Sequence, residues 1–382
     1  MAHTLTYVKA SCHCGANAFQ IPFLTSKLPQ ASDLCHCNAC RHITGESAVH
    51  CAVLEGQPLS ADSGAGDHKP ADLSNLIKYN ASENITRYFC STCSAYLLYE
   101  IKGTDPHWSV SSGALERTEG IVKVGYHAFL ADTLDGGLAH HYRVLNGVEI
   151  PRYEFDEGGK TLPFGWIAES LLKKQQELPE AGGEGEERLN AYCHCRNISI
   201  YFTRAQQEET EDPPKWWLPK RKGDDPTSPM HFMSAYCLCT SCRTTSGSLL
   251  KSWVISPRMN AIDARTSLPV SFNFPEDANA PSKRPPGLKQ YQASKGKFYE
   301  SCGTCGASAF YWIRDGDTSS EEPDVINVAA GLLDQEDGGS RAEGWCFWSD
   351  EVVEEEGSTD KAGVEALKAG VKAAASEALS RA

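Results

Sequence analysis

The chain of 382 residues is long enough for two ordinary domains, and its 41% hydrophobic and 23% charged residues are typical of a globular protein. Its formal net charge of −14 argues against a nucleic-acid partner, because affinity for phosphates depends on clustered Lys and Arg. No apolar run reaches the length of a membrane span and the N-terminus lacks a signal peptide, so we expect a cytoplasmic protein without membrane contact.

Most of the 16 cysteines occur in short C-x-C and C-x-x-C groups. In a chain without an export signal, such groups are more typical of metal sites than of disulfides, which remain the alternative. Zinc is the usual ion for several converging thiolates. The cysteine pattern therefore predicts a zinc protein.

The first half of the chain is predicted to be mainly β. A knuckle at Cys12 and Cys14 leads into alternating apolar residues, and Cys90 and Cys93 form a second knuckle. Short apolar or alternating segments predict strands at 48–54, 76–79, 95–101, 108–115 and 121–130, with a loop at 56–70. A short amphipathic helix is predicted at 166–176.

An acidic, Gly-rich segment interrupts the chain near its middle and has the composition of a flexible linker. We predict a zinc domain at 8–172, a linker at 173–188, a second zinc domain at 189–350, and an acidic then Ala-rich helical tail at 351–382. The linker predicts that the two domains unfold separately. The tail is expected to be solvated or weakly docked.

The second half repeats the first. Tyr79 and Tyr291 are separated by 212 positions, and so are Cys90 and Cys302. The separation is 181 at the first knuckle and 202 at Cys35 and Cys237, so the second copy has gained residues in two loops. A constant offset over the later segment indicates a duplicated domain.

Each half has two separated cysteine pairs and one triplet of cysteines within six positions. The pairs predict a closed, structural Cys₄ zinc site in each half, formed by Cys12, Cys14, Cys90 and Cys93 and by Cys193, Cys195, Cys302 and Cys305. The triplets are Cys35, Cys37 and Cys40 in the first half and Cys237, Cys239 and Cys242 in the second. Three ligands leave a fourth zinc position open, as in catalytic sites.

A closed triplet site is the alternative, with His36, His42 or the remaining Cys51 as fourth ligand. A further alternative is that the triplet cysteines are small buried hydrophobic residues without metal. Cys51 and Cys346 lie in apolar surroundings, which favours core packing for both.

The order C-x-C-G, C-H-C-x-x-C-R-x-x-x-G, Y-x-x-S and F-C-x-x-C resembles the glutathione-dependent formaldehyde-activating enzyme family, also called the centromere protein V/Gfa family. The resemblance covers most of both halves and extends to tandem fungal-type members. It implies two tandem Mss4-like (β-tent) domains, each with a structural Cys₄ zinc and a second zinc at the triplet. It also implies carbon–sulfur lyase chemistry that joins glutathione and formaldehyde into S-(hydroxymethyl)glutathione.

The chemistry of zinc and thiols agrees with this resemblance, because an open zinc can bind and deprotonate a thiol that then attacks formaldehyde. Arg41, His42 and Arg243 are candidates for binding the carboxylates of glutathione, with a loop-stabilising role as the alternative. Departures from the motifs are Ser94, Arg196 and Leu238, where Gly, Gly and His are expected; Ser94 predicts a changed turn. A non-catalytic, zinc-stabilised protein-interaction module is the alternative function.

Overall fold

The computed structural model describes residues 4–63, 68–177, 187–205, 215–219, 228–274, 283–314, 322–354, 357–358 and 360–381. We call residues 4–177 the first half and residues 187–381 the second half. Among the described residues the protein is mainly β, as predicted.

The first half has twelve strands and two α-helices among its described residues. The strands are β1 (Leu5–Ser11), β2 (Ala18–Leu24), β3 (Gln30–Cys35), β4 (Val49–Val53), β5 (Leu59–Ser60), β6 (Leu76–Asn80), β7 (Ile85–Cys90), β8 (Tyr96–Ile101), β9 (His107–Ser111), β10 (Val122–Ala128), β11 (Val144–Leu145) and β12 (Val148–Glu149). The helices are α1 (Asn38–Thr44) and α2 (Glu169–Glu177).

The second half continues with eleven strands and two α-helices in the part of the chain that is described. The strands are β13 (Leu189–Tyr192), β14 (Ser199–Phe202), β15 (Phe232–Cys237), β16 (Lys251–Pro257), β17 (Ala261–Asp263), β18 (Leu268–Pro269), β19 (Leu288–Ser294), β20 (Lys297–Cys302), β21 (Ser308–Ile313), β22 (Val325–Ala329) and β23 (Cys346–Glu354). The helices are α3 (Thr240–Ser246) and α4 (Lys361–Arg381).

Both halves contain a seven-stranded sheet with equivalent strands in the same order. The order is β10-β3-β4-β9-β8-β7-β6 in the first half and β23-β15-β16-β22-β21-β20-β19 in the second. In each sheet the first two strands are parallel, and their register shifts within the pair. Smaller sheets, β1-β2-β5 and β13-β14-β17-β18, carry the first knuckle of each half.

The predicted strands are confirmed to within a few residues, and the predicted helix at 166–176 is α2, which begins at Glu169. The predicted loop at 56–70 contains the short strand β5, and its residues 64–67 lie outside the described residues. The predicted linker at 173–188 begins inside α2, and its residues 178–186 also lie outside the described residues. The predicted tail from 351 begins within β23.

The two halves share an interface in which equivalent residues make equivalent contacts. The His13 N–H donates to the Thr244 carbonyl over 3.1 Å, and the His194 N–H donates to the His42 carbonyl over 2.9 Å. Such paired contacts relate the halves by an approximate twofold symmetry. The two halves are therefore joined by a packed interface as well as by the chain. Because of this interface, we expect the halves to unfold together.

The centre of this interface is a close approach of backbone segments at Gly45 and Gly247. These glycines end α1 and α3 in the left-handed conformation, with φ of 80° and 79°. A β-carbon at Gly45 would overlap the Ser308 carbonyl, and one at Gly247 would overlap the Tyr96 carbonyl. Glycine is required here both for the helix end and for the approach of the opposite half.

The predicted C-terminal helix is confirmed as α4, but the expectation of a solvated or weakly docked tail is wrong. Val364, Leu367 and Val371 are buried in the main hydrophobic core. The Arg143 guanidinium donates two hydrogen bonds to the Glu377 carboxylate, of 2.6 and 3.0 Å. Neither α4 nor any other helix among the described residues is long and apolar enough to cross a membrane.

Candidate metal centres

The two knuckle pairs of the first half bring four cysteine sulfurs together. The sulfurs of Cys12, Cys14, Cys90 and Cys93 all lie within 4.8 Å of one another. The Asn17 side-chain amide donates to the Cys90 sulfur over 3.1 Å, and the backbone N–H groups of Thr92 and Cys93 donate to it over 3.3 and 3.5 Å. These donors favour a thiolate at Cys90.

The second half has the same arrangement at Cys193, Cys195, Cys302 and Cys305. Hydrogen bonds involving Cys193 and Cys305 lower the pKa of Cys302 to about 2. The sulfur of Cys195 lies 3.6 Å from that of Cys193 and 3.4 Å from that of Cys302. Four thiolates around zinc, with Zn–S bonds of about 2.3 Å, have sulfurs about 3.8 Å apart, so both clusters fit the ion. None of the 16 cysteines forms a disulfide.

Each knuckle turns through a residue with positive φ. Gly15 and Gly306 have φ of 75°, and Ser94 and Arg196 adopt nearly the same angle at 62° and 63°. The prediction that Ser94 changes its turn is therefore wrong. The turn is thus kept in all four knuckles, although two of them lack the glycine that would favour it.

The triplets lie where a strand passes into a short helix. Cys35 ends β3, Cys37 is the N-cap of α1, and Cys40 is within the first turn. The Cys37 sulfur accepts the Cys40 backbone N–H over 3.3 Å, and Cys239 accepts the Cys242 N–H over the same distance in the second half. The helix N-terminus thus supplies N–H donors and a partial positive charge to the thiolates.

The sulfurs of each triplet are also within 4.8 Å of one another. Among the described residues, no fourth Cys, His or carboxylate ligand atom joins either group at that distance. His36 instead points its Nε2 to His127 Nδ1 at 2.9 Å, and His42 Nδ1 contacts the Tyr192 carbonyl at 2.7 Å. The arrangement within the described residues is thus that of a three-ligand group.

The surroundings of the first triplet are polar and charged. The Arg87 guanidinium, which is buried, donates to the Cys40 sulfur over 3.0 Å. Hydrogen bonds involving Cys35 and Cys37, together with the charge of Arg87, hold the pKa of Cys40 well below its usual range. Burial, assisted by the nearby Cys40, raises the pKa of Asp33 to about 6.

The second triplet lies beside several aromatic side chains. Tyr299 occupies the position equivalent to Arg87, and its hydroxyl lies 3.5 Å from the Cys242 sulfur. Leu238, which replaces His36, is buried. Hydrogen bonds involving Cys237 and Cys242 lower the pKa of Cys239 to about 2. A cavity of about 1400 Å³ is lined by all three cysteines of this triplet.

Arg41 and Arg243 lie in the interface between the halves. Arg41 donates to the Gln335 side chain over 3.0 Å, and Arg243 donates to the carbonyls of Gly113 and Leu115 over 2.5 and 2.6 Å. Both side chains are buried. These contacts agree with the loop-stabilising alternative rather than with binding of a substrate carboxylate.

Cys51 and Cys346 are outside the four clusters. Cys346 is fully buried within the main hydrophobic core, which confirms its predicted packing role. Cys51 is partly buried on β4, and burial raises the pKa of its thiol to about 12.

Sequence reasoning did not identify the side chains that approach each triplet from elsewhere in the chain. His194, from the second half, accepts or donates a hydrogen bond of 2.6 Å at the hydroxyl of Tyr79, and His13 makes the equivalent 2.8 Å contact with Tyr291. His13 also lies 3.4 Å from the hydroxyl of Ser241, inside the second triplet. The constant sequence offset between Tyr79 and Tyr291 indicates that the two tyrosines have equivalent roles. No sequence pattern indicates that each of them contacts a histidine of the other half.

A sequence model of the glutathione-dependent formaldehyde-activating enzyme family matches residues 7–132, about a third of the chain. This span contains the seven clustered cysteines of the first half and Arg87. Over residues 7–132 the chain is therefore similar to that family. No curated protein and no solved structure matches the chain.

Proposed function

We propose that the protein is a zinc-dependent carbon–sulfur lyase that condenses glutathione, or another small thiol, with formaldehyde. The second substrate is formaldehyde or a similar electrophile. The proposal includes two tandem zinc domains, a relation to centromere protein V and to fungal tandem proteins, and a cytoplasmic location.

The observation that carries the proposal is the three-sulfur group formed by Cys35, Cys37 and Cys40 within the span that matches the formaldehyde-activating family. A separate four-sulfur group in the same half could hold a structural metal. The triplet is therefore not needed for that role. The equivalent triplet at Cys237, Cys239 and Cys242 extends the proposal to the second half.

Each half is proposed to hold two zinc ions. Cys12, Cys14, Cys90 and Cys93, and their counterparts Cys193, Cys195, Cys302 and Cys305, would hold the structural ions. Each triplet would hold the catalytic one. When bound at a triplet, zinc supplies a Lewis acid that lowers the pKa of a coordinated thiol.

The side chains around the first triplet suit the chemistry of a thiol substrate. The Arg87 guanidinium and the N–H groups at the start of α1 offset the negative charge of three thiolates. The substrate thiol loses its proton, its sulfur forms a bond with the formaldehyde carbon, and the carbon–oxygen π bond breaks. The oxygen then takes up a proton, so the product is S-(hydroxymethyl)glutathione and no oxidant or reductant is needed.

The test combines metal analysis with calorimetric titration of glutathione into the zinc-loaded full-length protein. Titrations in buffers of different ionisation enthalpy measure the proton released when a thiol binds. We expect up to four zinc ions per chain and proton release near neutral pH. The variant Cys37→Ala should lose proton release at the first triplet, and Cys51→Ala, outside the clusters, should retain it.

Formation of the product is followed separately by NMR with ¹³C-formaldehyde, because formaldehyde and glutathione also combine without a catalyst. If the protein is an enzyme, it should accelerate formation of the product in proportion to its concentration. Cys37→Ala should reduce this acceleration. Zinc-loaded protein that shows neither thiol binding nor acceleration would contradict the proposal. A zinc-stabilised protein-interaction module would then be the better interpretation.

A further inference from the structure

The cavity at the second triplet is large for a small-thiol site. Its volume of about 1400 Å³ exceeds the roughly 300–1,000 Å³ that is usual for small-molecule pockets. Glutathione and formaldehyde do not explain why a wide space begins at Cys237, Cys239 and Cys242. The side chains that line this space indicate which ligand it suits.

Aromatic rings form much of the cavity wall. The ring centroids of Tyr299 and Tyr311 are 4.8 Å apart, and those of Trp253 and Tyr311 are 6.1 Å apart. Trp216 and Trp217 make a T-shaped pair with centroids 5.6 Å apart. All five of these side chains line the cavity.

Trp216 is 57% exposed and lines the cavity, so its ring is accessible to a ligand. A ring that stacks on it would remove apolar surface of both partners from water. The exposed indole therefore offers a flat apolar surface to a ligand in the cavity.

Three polar residues of the first site are replaced at the equivalent positions of the second. Arg87 corresponds to Tyr299, Asp33 to Ala235, and His36 to Leu238. Tyr299 and Ala235 line the cavity, and Leu238 is buried between two of the triplet cysteines. Two copies of one cysteine framework thus present different surroundings to a ligand that binds through sulfur.

Charge gives no comparable selection at the second site. The cavity is lined by the cations Lys215, Lys297 and Arg314, but also by the carboxylates Glu322 and Asp324. The Glu322 carboxylate accepts the Phe272 backbone N–H over 2.9 Å. The Arg314 guanidinium lies 5.2 Å from the centre of the Trp312 ring. With opposite charges mixed along the wall, the ring faces are the selective feature.

We infer that the second triplet takes a thiol carrying an aromatic or other flat apolar group, while the first takes a polar thiol. This inference rests on the proposed function for sulfur binding at the triplet. The inference that the ligand carries a ring rests on the side chains of the cavity alone. The protein would then hold two sites with one chemistry and different substrate ranges.

The test titrates three probes into the zinc-loaded full-length protein and measures heat and proton release. The probes are 2-naphthalenethiol, its oxygen analogue 2-naphthol, and glutathione. We expect 2-naphthalenethiol to bind one site at least tenfold more tightly than glutathione binds that site. Cys239→Ala should remove this tight site, and Cys37→Ala should leave it in place.

Trp216→Ala removes the exposed ring, and Phe155→Ala is its matched control because Phe155 is 55% exposed in the first half. Trp216→Ala should weaken naphthalenethiol binding about tenfold, as expected for loss of one aromatic contact, and affect glutathione binding less. Phe155→Ala should change neither. Tyr299→Arg, which installs the residue of the first site, should reduce the preference for the aromatic thiol.

The outcomes separate this inference from the proposed function. If thiols bind with proton release but the aromatic thiol has no advantage, the inference is wrong and the proposed function stands. If 2-naphthol binds and Trp216→Ala weakens it while no thiol releases a proton, the aromatic cavity is supported and the proposed function fails. If neither naphthalene probe binds, the inference is overturned.

Discussion

Glu46 of the first half and Lys251 of the second form an ion pair across the interface, with Lys251 Nζ 2.7 Å from Glu46 Oε1. Both side chains are fully buried. Lys251 also contacts the Ser308 hydroxyl and lies 4.5 Å above the centre of the Trp253 ring. The two halves are therefore joined by a charge pair that neither half could bury alone.

Lys251→Met should destabilise the protein by about 3–5 kcal/mol, because it leaves Glu46 charged and unpaired in the interior. The double variant Glu46→Leu/Lys251→Met should recover at least half of this loss, since an apolar pair avoids desolvation of both charges. Urea unfolding measures both. Lys173→Met is the control, because the Lys173–Glu169 pair is 65% and 80% exposed and should contribute less than about 0.5 kcal/mol.

Loss of one structural metal site should unfold both halves together. Cys90→Ala removes a ligand from the first half, but the interface couples that half to the second. Calorimetry should show one transition, lowered by about 10 °C or more. Cys51→Ala should keep a melting temperature near that of the parent protein. Two separated transitions, with only one affected by Cys90→Ala, would show that the halves are energetically independent.

Ser94→Gly should stabilise the protein by about 1 kcal/mol. Ser94 has φ of 62°, and its buried hydroxyl has no hydrogen-bond partner among the described residues. Glycine relieves the strain of the left-handed conformation and removes the unpaired hydroxyl. Arg196→Gly relieves the same strain but loses the contact of its guanidinium with the Tyr192 ring, 3.2 Å from the centroid. Its gain, measured by urea unfolding, should therefore be smaller.

His50 should make the protein less stable in mild acid. Burial lowers the pKa of His50 to about 4 from an ordinary value of 6.5, and its Nδ1 lies 2.7 Å from the Ser112 hydroxyl. The unfolded chain takes up a proton at higher pH than the folded protein does, so stability is lost as pH falls from about 6.5 toward 4. At pH 5 the loss is about 2 kcal/mol.

The measurement is the free energy of unfolding at pH 7 and pH 5 for the parent protein and His50→Gln. The difference between the two pH values should be about 2 kcal/mol smaller in the variant. His68→Gln, at an exposed histidine, serves as the control. Identical pH dependence in His50→Gln and the parent protein would contradict the assignment.

Gly370→Ala should disrupt docking of α4 although alanine favours helix formation. A β-carbon at Gly370 would overlap the carbonyl oxygen of His141. We expect a loss of about 1–3 kcal/mol, as for other overpacked contacts, instead of the gain of about 1 kcal/mol from helix propensity. Thermal unfolding decides the sign. Glu365→Ala, at a side chain that is 77% exposed on the same helix, should have little effect.

Local patterns determined much of this protein. Alternating apolar residues predicted the strands, and the constant offset between Tyr79 and Tyr291 predicted a repeat. The spacing of the knuckles predicted which sulfurs meet, because zinc requires thiolates at fixed distances from one another. These features depend on residues near in sequence or on a repeated motif, and both are visible in one chain.

The interface and the character of each site were decided by tertiary structure alone. Arg41 suggested a substrate contact from its place beside the triplet, yet it is buried against the second half. Arg87 and Tyr299 reach the triplets only through strand pairing, 47 and 57 positions from their partners Cys40 and Cys242. Sequence spacing specifies which side chains can bind a metal, whereas the polarity around that metal depends on contacts between segments that only the folded chain brings together.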